Sequence, residues 1–276
     1  MRFYASAFCG TDAAIFDFER QRRIVFNAVQ VYRPINSVGF NYIATRGKQL
    51  QIVTEFPGTL SDILDGKFDD DVRRLGRDIK AGGEEVWIRQ LHEFNYAGTY
   101  PWCIDLSPAS IALFKRAWRR IVSLYREVGA PVRFQWCLQA KNPGKVQVPY
   151  SQLYPGDDAV DAVGVDLYIN PGSKLVSLKQ RLQDGVYSQL AAFGKPVFIG
   201  ETSCTDEGLD KAGWMREAWR DLASPSFDSI TTVNFFLVDK DPRRWWGLNT
   251  AAEVKGFVAG YREYAEARGI AQAPAS

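Results

Sequence analysis

Short apolar segments alternate along the chain with longer segments in which apolar residues recur every three or four positions. Segments that are apolar at nearly every position are typical of parallel strands covered on both faces. We predict strands over residues 3–9, 37–43, 50–56, 85–91, 132–138, 159–168, 195–200 and 230–237.

The segments between these strands have the spacing of amphipathic helices. We predict helices over residues 13–23, 69–81, 107–128, 175–193, 211–222 and 251–268. Strands that alternate with helices favour a single (β/α)8 barrel of the α/β class, which typically needs about 250 of the 276 residues here. Because no linker-like run interrupts the chain, we expect one catalytic domain over residues 1–270 and a flexible tail over 271–276.

Composition narrows the set of partners. The 34 basic and 32 acidic residues give a net charge of +2, which provides no electrostatic basis for binding nucleic acid or a membrane. No run reaches the roughly 18 apolar residues of a membrane span. The first residues lack the pattern of a signal peptide, so localisation stays open, with secretion or the periplasm expected if a leader was removed. We expect a monomer.

The cysteines give no sign of a metal site. They are scattered, without the close spacing of ligand pairs, at positions Cys9, Cys103, Cys137 and Cys204. We expect buried thiols, with a single disulfide as the alternative. No metal and no organic cofactor is predicted.

Candidate chemistry follows the fourth and seventh predicted strands. Glu93 comes two residues after the end of the fourth, and Glu201 comes directly after the seventh. The active site of a barrel lies at the carboxyl ends of its strands, so the two carboxylates are expected in one cavity. Glycoside hydrolysis needs such a pair, one to protonate the leaving oxygen and one to attack the anomeric carbon or activate water. His92, the only histidine, and Arg89 are polar neighbours of Glu93.

Each of these residues alone favours a structural interpretation. A single carboxylate after a strand, or a lone histidine, is more often a hydrogen-bonded structural residue; the pair of carboxylates with aromatic residues nearby favours a site. Trp118, Trp214 and Trp219 lie on predicted helices and are expected in the core. Three other tryptophans follow strand ends, where a flat ring can stack on a sugar: Trp102, Trp245 and Trp246.

Four segments resemble motifs of glycoside hydrolase family 26, the family of β-mannanases and their relatives. Residues 86–95 are similar to its Arg-x-x-His-Glu-x-Asn motif, with Arg89, His92, Glu93 and Asn95 in place. Residues 154–168 are similar to a Tyr-Pro-Gly-Asp segment that ends in Gly-x-Asp-x-Tyr, and residues 195–201 to the nucleophile strand. Trp136 and Asn142 resemble a Trp–Asn element at the fifth strand.

The resemblance implies a (β/α)8 barrel that works as a retaining β-glycoside hydrolase without a cofactor. It implies Glu93 as acid/base and Glu201 as nucleophile. The expected substrate is β-mannan or a related polysaccharide; mixed-linkage glucan, β-1,3-xylan and a bacterial exopolysaccharide are alternatives. The resemblance also implies substrate-binding or supporting roles for a further set of residues, namely His92, Arg89, Asn95, Tyr168, Trp102, Trp136, Trp245 and Trp246.

One departure from the family's pattern affects the substrate. The family often has Gly and then Trp soon after its His-Glu-x-Asn, whereas here residues 96–102 read Tyr-Ala-Gly-Thr-Tyr-Pro-Trp. We expect Tyr96, Tyr100 or Trp102 to line the leaving-group side instead. Three other functions are compatible with the sequence: a transglycosylase, a non-catalytic carbohydrate-binding barrel, and an enzyme of unrelated chemistry that uses Glu93 and His92 as an acid–base pair.

Overall fold

The strands follow one another in parallel. The computed structural model describes residues 2–37, 45, 47–140, 148–240 and 245–272. In chain order, the strands β1 to β8 of this part are Tyr4–Phe8, Ala28–Pro34, Gln49–Glu55, Val86–Gln90, Val132–Gln139, Ala162–Ile169, Val197–Cys204 and Ile230–Phe236. Neighbouring strands lie in the order β1–β8–β7–β6–β5–β4–β3–β2, and the registered pairs are parallel.

Helices lie between the strands. In the described residues, α1 to α9 are Ala14–Arg22, Leu60–Leu64, Asp69–Gly82, Pro108–Glu127, Tyr150–Leu153, Leu178–Arg181, Tyr187–Ala191, Lys211–Ala223 and Ala251–Ala267. The predicted helix over 175–193 is wrong in one respect, because it is broken between α6 and α7. Asp184 (ψ 48°) and Gly185 (φ 77°) leave helical geometry there. A glycine adopts this left-handed conformation without a steric penalty.

The prediction from the sequence did not include β2 and ended β7 too early. The strand Ala28–Pro34 contains Gln30, which is buried although polar, and ends in Arg33 and Pro34, so it has no continuous apolar run. The strand predicted over 37–43 falls almost entirely outside the described residues. The strand β7 continues through Ser203 to Cys204, so Glu201 lies within it rather than after its end. Thr202 and Ser203 are polar residues of the kind expected in a loop, which explains why the predicted strand ended before Glu201.

The chain separates into two compact units, which are described in turn. The first comprises Met1–Gln30 with Asp166–Ser276, and the second comprises Val31–Val165. In the first unit, β1, β8 and β7 pair, and α8 packs on α9. Trp219 lies at the centre of this packing, 4.4 Å from the ring of Phe235 and 5.1 Å from that of Tyr261. Its burial confirms the core position expected for it.

The second unit packs α4 against the chain around β4 and β5. The helix begins at the predicted place, where the Ser107 hydroxyl accepts the main-chain N–H of Ser110 and Pro108 takes the first position. Its inner face buries Trp118, whose indole N–H donates to the Ala159 carbonyl at 2.9 Å. Phe114 of the same face stacks on Phe94, which directly follows Glu93. The helix therefore supports the candidate motif from behind.

In the part of the chain that the structure describes, each helix is too short or too polar to cross a membrane.

Close packing of α8 on α9 depends on a glycine, and this gives a first prediction. A Cβ atom at Gly256 would lie 2.1 Å from the Ala212 carbonyl oxygen, so the two helix backbones must move apart in Gly256→Ala. The gain in helix propensity, about 1 kcal/mol, is smaller than the overpacking cost. We expect a net loss of about 2 kcal/mol and a thermal midpoint lower by about 4–8 °C.

Lys255→Ala is the control, because it places the same methyl group at the neighbouring exposed position. Its stability should stay within about 0.5 kcal/mol of the parent. An unchanged or raised midpoint in Gly256→Ala, measured by calorimetry, would contradict the packing described here.

Candidate active site

The backbone around Glu93 is strained. Leu91 (φ 48°) and Glu93 (φ 53°) both lie in the left-handed region, which non-glycine residues seldom adopt. Such strain costs about 1–3 kcal/mol per residue and persists only where surrounding contacts enforce it. Here the Glu93 N–H donates to the Cys137 carbonyl at 3.2 Å, and the Trp102 indole N–H donates to the His92 carbonyl at 2.9 Å. These contacts fix the direction of the Glu93 side chain.

A reciprocal pair of hydrogen bonds joins Asn95 to the end of β5. The Asn95 amide donates to the Gln139 carbonyl at 2.9 Å, and the Gln139 N–H donates to the Asn95 side-chain oxygen at 2.8 Å. The Gln139 side-chain amide then donates to Oε1 of Glu93 at 3.1 Å. Sequence reasoning missed Gln139, although its place at the carboxyl end of a barrel strand was a usable signal.

Aromatic rings surround His92. Its Nε2 lies 3.2 Å from the Tyr100 hydroxyl, and its ring meets the Tyr100 ring at 60°. Trp102 stacks on Tyr100 with 4.5 Å between centroids and 3° between planes. Trp102 is only 1% exposed, which leaves little surface for a sugar, whereas Tyr96 is 38% exposed. The arrangement favours support of His92 by Trp102 and leaves direct substrate contact by Trp102 as a prediction.

Arg89 and Trp136 lie deeper. The Arg89 guanidinium is buried and donates to the Tyr32 hydroxyl at 3.5 Å, with Cys137 Sγ 3.9 Å from its other terminal nitrogen. Trp136 is buried and meets the Tyr154 ring edge-on at 5.4 Å. Substrate contact by either residue stays a prediction, and Asn142 lies outside the described residues.

Glu201 lies in the first unit with Tyr168 as its neighbour. The Tyr168 hydroxyl, at the end of β6, donates to Oε2 of Glu201 at 2.6 Å. An O–H donor of this length favours the ionised carboxylate. The Tyr168 ring stacks on Trp246, with 4.1 Å between centroids and 23° between planes. Trp246 is buried, whereas Trp245 is 43% exposed, so the two candidate tryptophans after β8 have different environments.

All four cysteines are free thiols, and Cys137 and Cys204 are buried. Burial, with a smaller contribution from the charge of Glu19, raises the pKa of Cys9 to about 12. Burial also raises the pKa of Cys103, whose Sγ donates to the Glu93 carbonyl at 3.4 Å. The thiols are therefore poor nucleophiles near neutral pH.

Comparison with known sequences matches this chain to a family model and to a curated protein. Residues 15–228 match the sequence model of glycosyl hydrolase family 26. Endoglucanase H of Acetivibrio thermocellus is 32% identical over 210 residues, which are 73% of this chain and 22% of that protein. The chain thus spans about a fifth of the length of this relative.

Solved mannanase structures share the fold. The Bacillus subtilis mannanase BCman has a TM-score of 0.69 and 17% identity, over 95% of this chain and 85% of that one. The Bacteroides ovatus β-mannanase BoMan26A has a TM-score of 0.70 and 14% identity, over 98% and 90%. At these identities the likeness defines the fold, and it confirms the predicted single (β/α)8 barrel.

The fold and the family match together define the class of protein, a (β/α)8 barrel of a glycosyl hydrolase family. The chain belongs to glycosyl hydrolase family 26, as the motif around Glu93 predicted.

The thiols give a second prediction. All four cysteines should react with dithiobis(nitrobenzoate) after unfolding in guanidinium without any reductant. In the native protein at pH 8, the reaction should be more than about tenfold slower, because burial raises the pKa of Cys9, Cys103 and Cys204 and shields Cys137 from the reagent. The same titration after prior reduction is the control. Fewer than four thiols in the unreduced, unfolded protein would reveal a disulfide and contradict this assignment.

Proposed function

We propose that this glycosidase is a retaining hydrolase that cleaves a β-linked polysaccharide by double displacement. Glu201 is the nucleophile and Glu93 the acid/base. The observation that carries the proposal is the hydrogen bond from Tyr168 to Glu201, because a nucleophilic carboxylate must stay ionised in a buried site. In (β/α)8 barrels generally, the active site lies at the carboxyl ends of the strands, and the proposal expects both carboxylates there.

The surroundings of the two carboxylates support different roles. Glu201 accepts a short hydrogen bond from a hydroxyl group, whereas Glu93 accepts a longer one from the neutral amide of Gln139. An amide that donates to Oε1 still permits a proton on Oε2, which an acid needs. A pair of carboxylates whose environments separate their pKa values is the arrangement that glycoside hydrolysis requires.

The reaction then proceeds in two steps. Glu201 attacks the anomeric carbon while Glu93 transfers its proton to the leaving oxygen, and a covalent glycosyl–enzyme forms. Glu93, now ionised, takes a proton from water, and the resulting hydroxide breaks the glycosyl–carboxylate bond. The configuration at the anomeric carbon is retained, and a carboxylate separation of about 5–5.5 Å is expected in a complex with substrate.

The relatives suggest the kind of substrate. One is named an endoglucanase and others are named mannanases, so β-glucan and β-mannan are the first candidates. Exposed rings at Tyr96 and Trp245 suit stacking against the apolar face of a sugar. Measurement of new reducing ends on defined β-mannan, mixed-linkage glucan, β-1,3-xylan and bacterial exopolysaccharides tests this proposal. Release from none of them would contradict a hydrolase of β-polysaccharides.

Replacement of the two carboxylates gives the third prediction. Glu93→Gln should lower kcat by about 10²–10⁴-fold on a polysaccharide, because proton transfer is lost. Glu201→Gln should lower it at least as much, because no covalent intermediate forms. Glu84→Gln removes an exposed carboxylate before β4 and should keep the parental rate. Near-normal turnover in either active-site variant would overturn its assignment.

Azide distinguishes the nucleophile from the acid/base when either carboxylate is replaced by a smaller residue that leaves room for the anion. With Glu201→Gly, azide should occupy the place of the nucleophile and yield a glycosyl azide of inverted configuration. With Glu93→Ala and an activated aryl glycoside, azide should attack the intermediate and yield the retained configuration. Exchange of these two outcomes would mean that the roles are reversed.

Gln139 gives the fourth prediction. In Gln139→Met the donor to Glu93 is lost at similar side-chain size, so Glu93 is less well placed to protonate the leaving oxygen. We expect kcat/KM to fall about tenfold or more on a glycoside with a poor leaving group, and far less on an activated aryl glycoside that needs no proton.

Gln135→Met is the matched control, because Gln135 is a buried glutamine of the same strand that donates to Gln51 instead. It should lower both values of kcat/KM in the same proportion, if at all. Equal losses on both substrates in Gln139→Met would show that Gln139 acts only on stability.

A further inference from the structure

Lys211 is a buried cation in an unfavourable place. It is the first residue of α8, and its side chain is 2% exposed. The amino end of a helix carries a partial positive charge that disfavours a lysine there. Removal of an ammonium group from water costs several kcal/mol more. The side chain therefore stays buried only because specific acceptors surround its charge.

The acceptors belong to one short segment and one acidic residue. Lys211 Nζ donates to the main-chain carbonyl oxygens of Trp245 and Gly247. The Glu253 carboxylate lies 3.7 Å away and also accepts the Asn249 N–H at 2.8 Å. One ammonium group thus links the amino ends of α8 and α9 to the segment that follows β8.

The carbonyl between these two is held as well. The Ser203 hydroxyl, on β7 two residues after Glu201, donates to the Trp246 carbonyl at 2.9 Å. Three consecutive carbonyl groups, those of residues 245–247, therefore accept hydrogen bonds from buried side chains of β7 and α8. These donors hold residues 245–247 in place although the segment has no regular secondary structure.

Residues 245–247 include Trp246, whose ring supports Tyr168, the hydrogen-bond donor to Glu201. Trp246 stacks on Tyr168, and the Tyr168 hydroxyl donates to Glu201. A shift of residues 245–247 would move the indole, then the tyrosine ring, and then the donor at the Glu201 carboxylate. Errors of about 1 Å in such positions cost catalysis about 100-fold.

We propose that Lys211 is a positioning residue for catalysis: it fixes residues 245–247 so that Trp246 holds Tyr168 against Glu201. This rests on the proposed function, in which Glu201 is the nucleophile. The buried ion pair alone does not argue for a stabilising role, because such pairs are often replaceable by neutral residues without loss of stability.

The test removes the charge without leaving its partner unpaired. Lys211→Met with Glu253→Gln keeps both side chains at similar size and keeps an acceptor for the Asn249 N–H. The protein should fold, while the carbonyl groups of Trp245 and Gly247 lose their donor. We expect kcat on the identified polysaccharide to fall about 10- to 100-fold and KM to change less than about threefold.

Arg268→Met is the matched structural control. Arg268 is a largely buried cation that donates to the Leu222 and Ser224 carbonyls at the opposite end of α8. Its loss should lower the thermal midpoint and leave kcat and KM unchanged. Lys211→Arg retains donors for both carbonyls and should recover part of kcat. Parental kcat in a folded double variant, or a loss of kcat in Arg268→Met equal to that in the double variant, would overturn the proposal.

Two reference variants separate this result from a failure of the proposed function. Tyr168→Phe removes the hydroxyl donor to Glu201 and should lose kcat to a degree similar to the double variant. Glu201→Gln should abolish turnover. If Glu201→Gln stays active, the assignment of the nucleophile is wrong; if it is inactive while the double variant keeps full kcat, only the role of Lys211 is wrong.

Discussion

The short hydrogen bond from Tyr168 to Glu201 is the interaction on which the surroundings of this carboxylate depend. A carboxylate in a buried position loses the hydration that stabilises its charge, and a directed donor must replace it. The donor comes from β6, the acceptor from β7, and the ring behind the donor rests on Trp246 after β8. The need of Glu201 for a donor therefore fixes the positions of Tyr168 on β6 and of Trp246 in the segment after β8.

Glu93 is held by a different means. Its backbone lies in the left-handed region, and the Gln139 side chain donates to its carboxylate. That conformation is unfavourable by itself, and the second unit offsets it with a main-chain hydrogen bond from Glu93 to the fifth strand and a hydrogen bond from the Trp102 indole to the His92 carbonyl. No glycine stands at this point to relieve the strain. The protein therefore accepts an unfavourable backbone conformation that places the Glu93 side chain.

Much of this could be predicted from the sequence, and the failures have two physical causes. Continuous apolar runs predicted seven of the eight strands of the described residues. Motif order selected Glu93, Glu201 and Tyr168, and the hydrogen bond between the last two fits that selection, while their catalytic roles stay predictions. The missed strand contains Gln30, and the extension of β7 contains hydroxyl residues, so burial of polar groups hid both. Gln139 and Lys211 act through partners more than thirty residues away, and only the folded chain brings those partners together.

In the proposed function, substrate choice and catalysis depend on different aromatic residues. Trp102, Trp136 and Trp246 are buried. Trp102 packs against His92 and Trp246 against Tyr168, so a change in either is expected to disturb those residues, whereas Trp136 packs against Tyr154. The exposed rings of Tyr96 and Trp245 carry no such duty, so they can change without cost to the catalytic groups. Relatives named for different substrates, an endoglucanase and mannanases, are expected to differ at such exposed positions. In this chain the departure from the family's pattern after Asn95 begins at one of them, Tyr96.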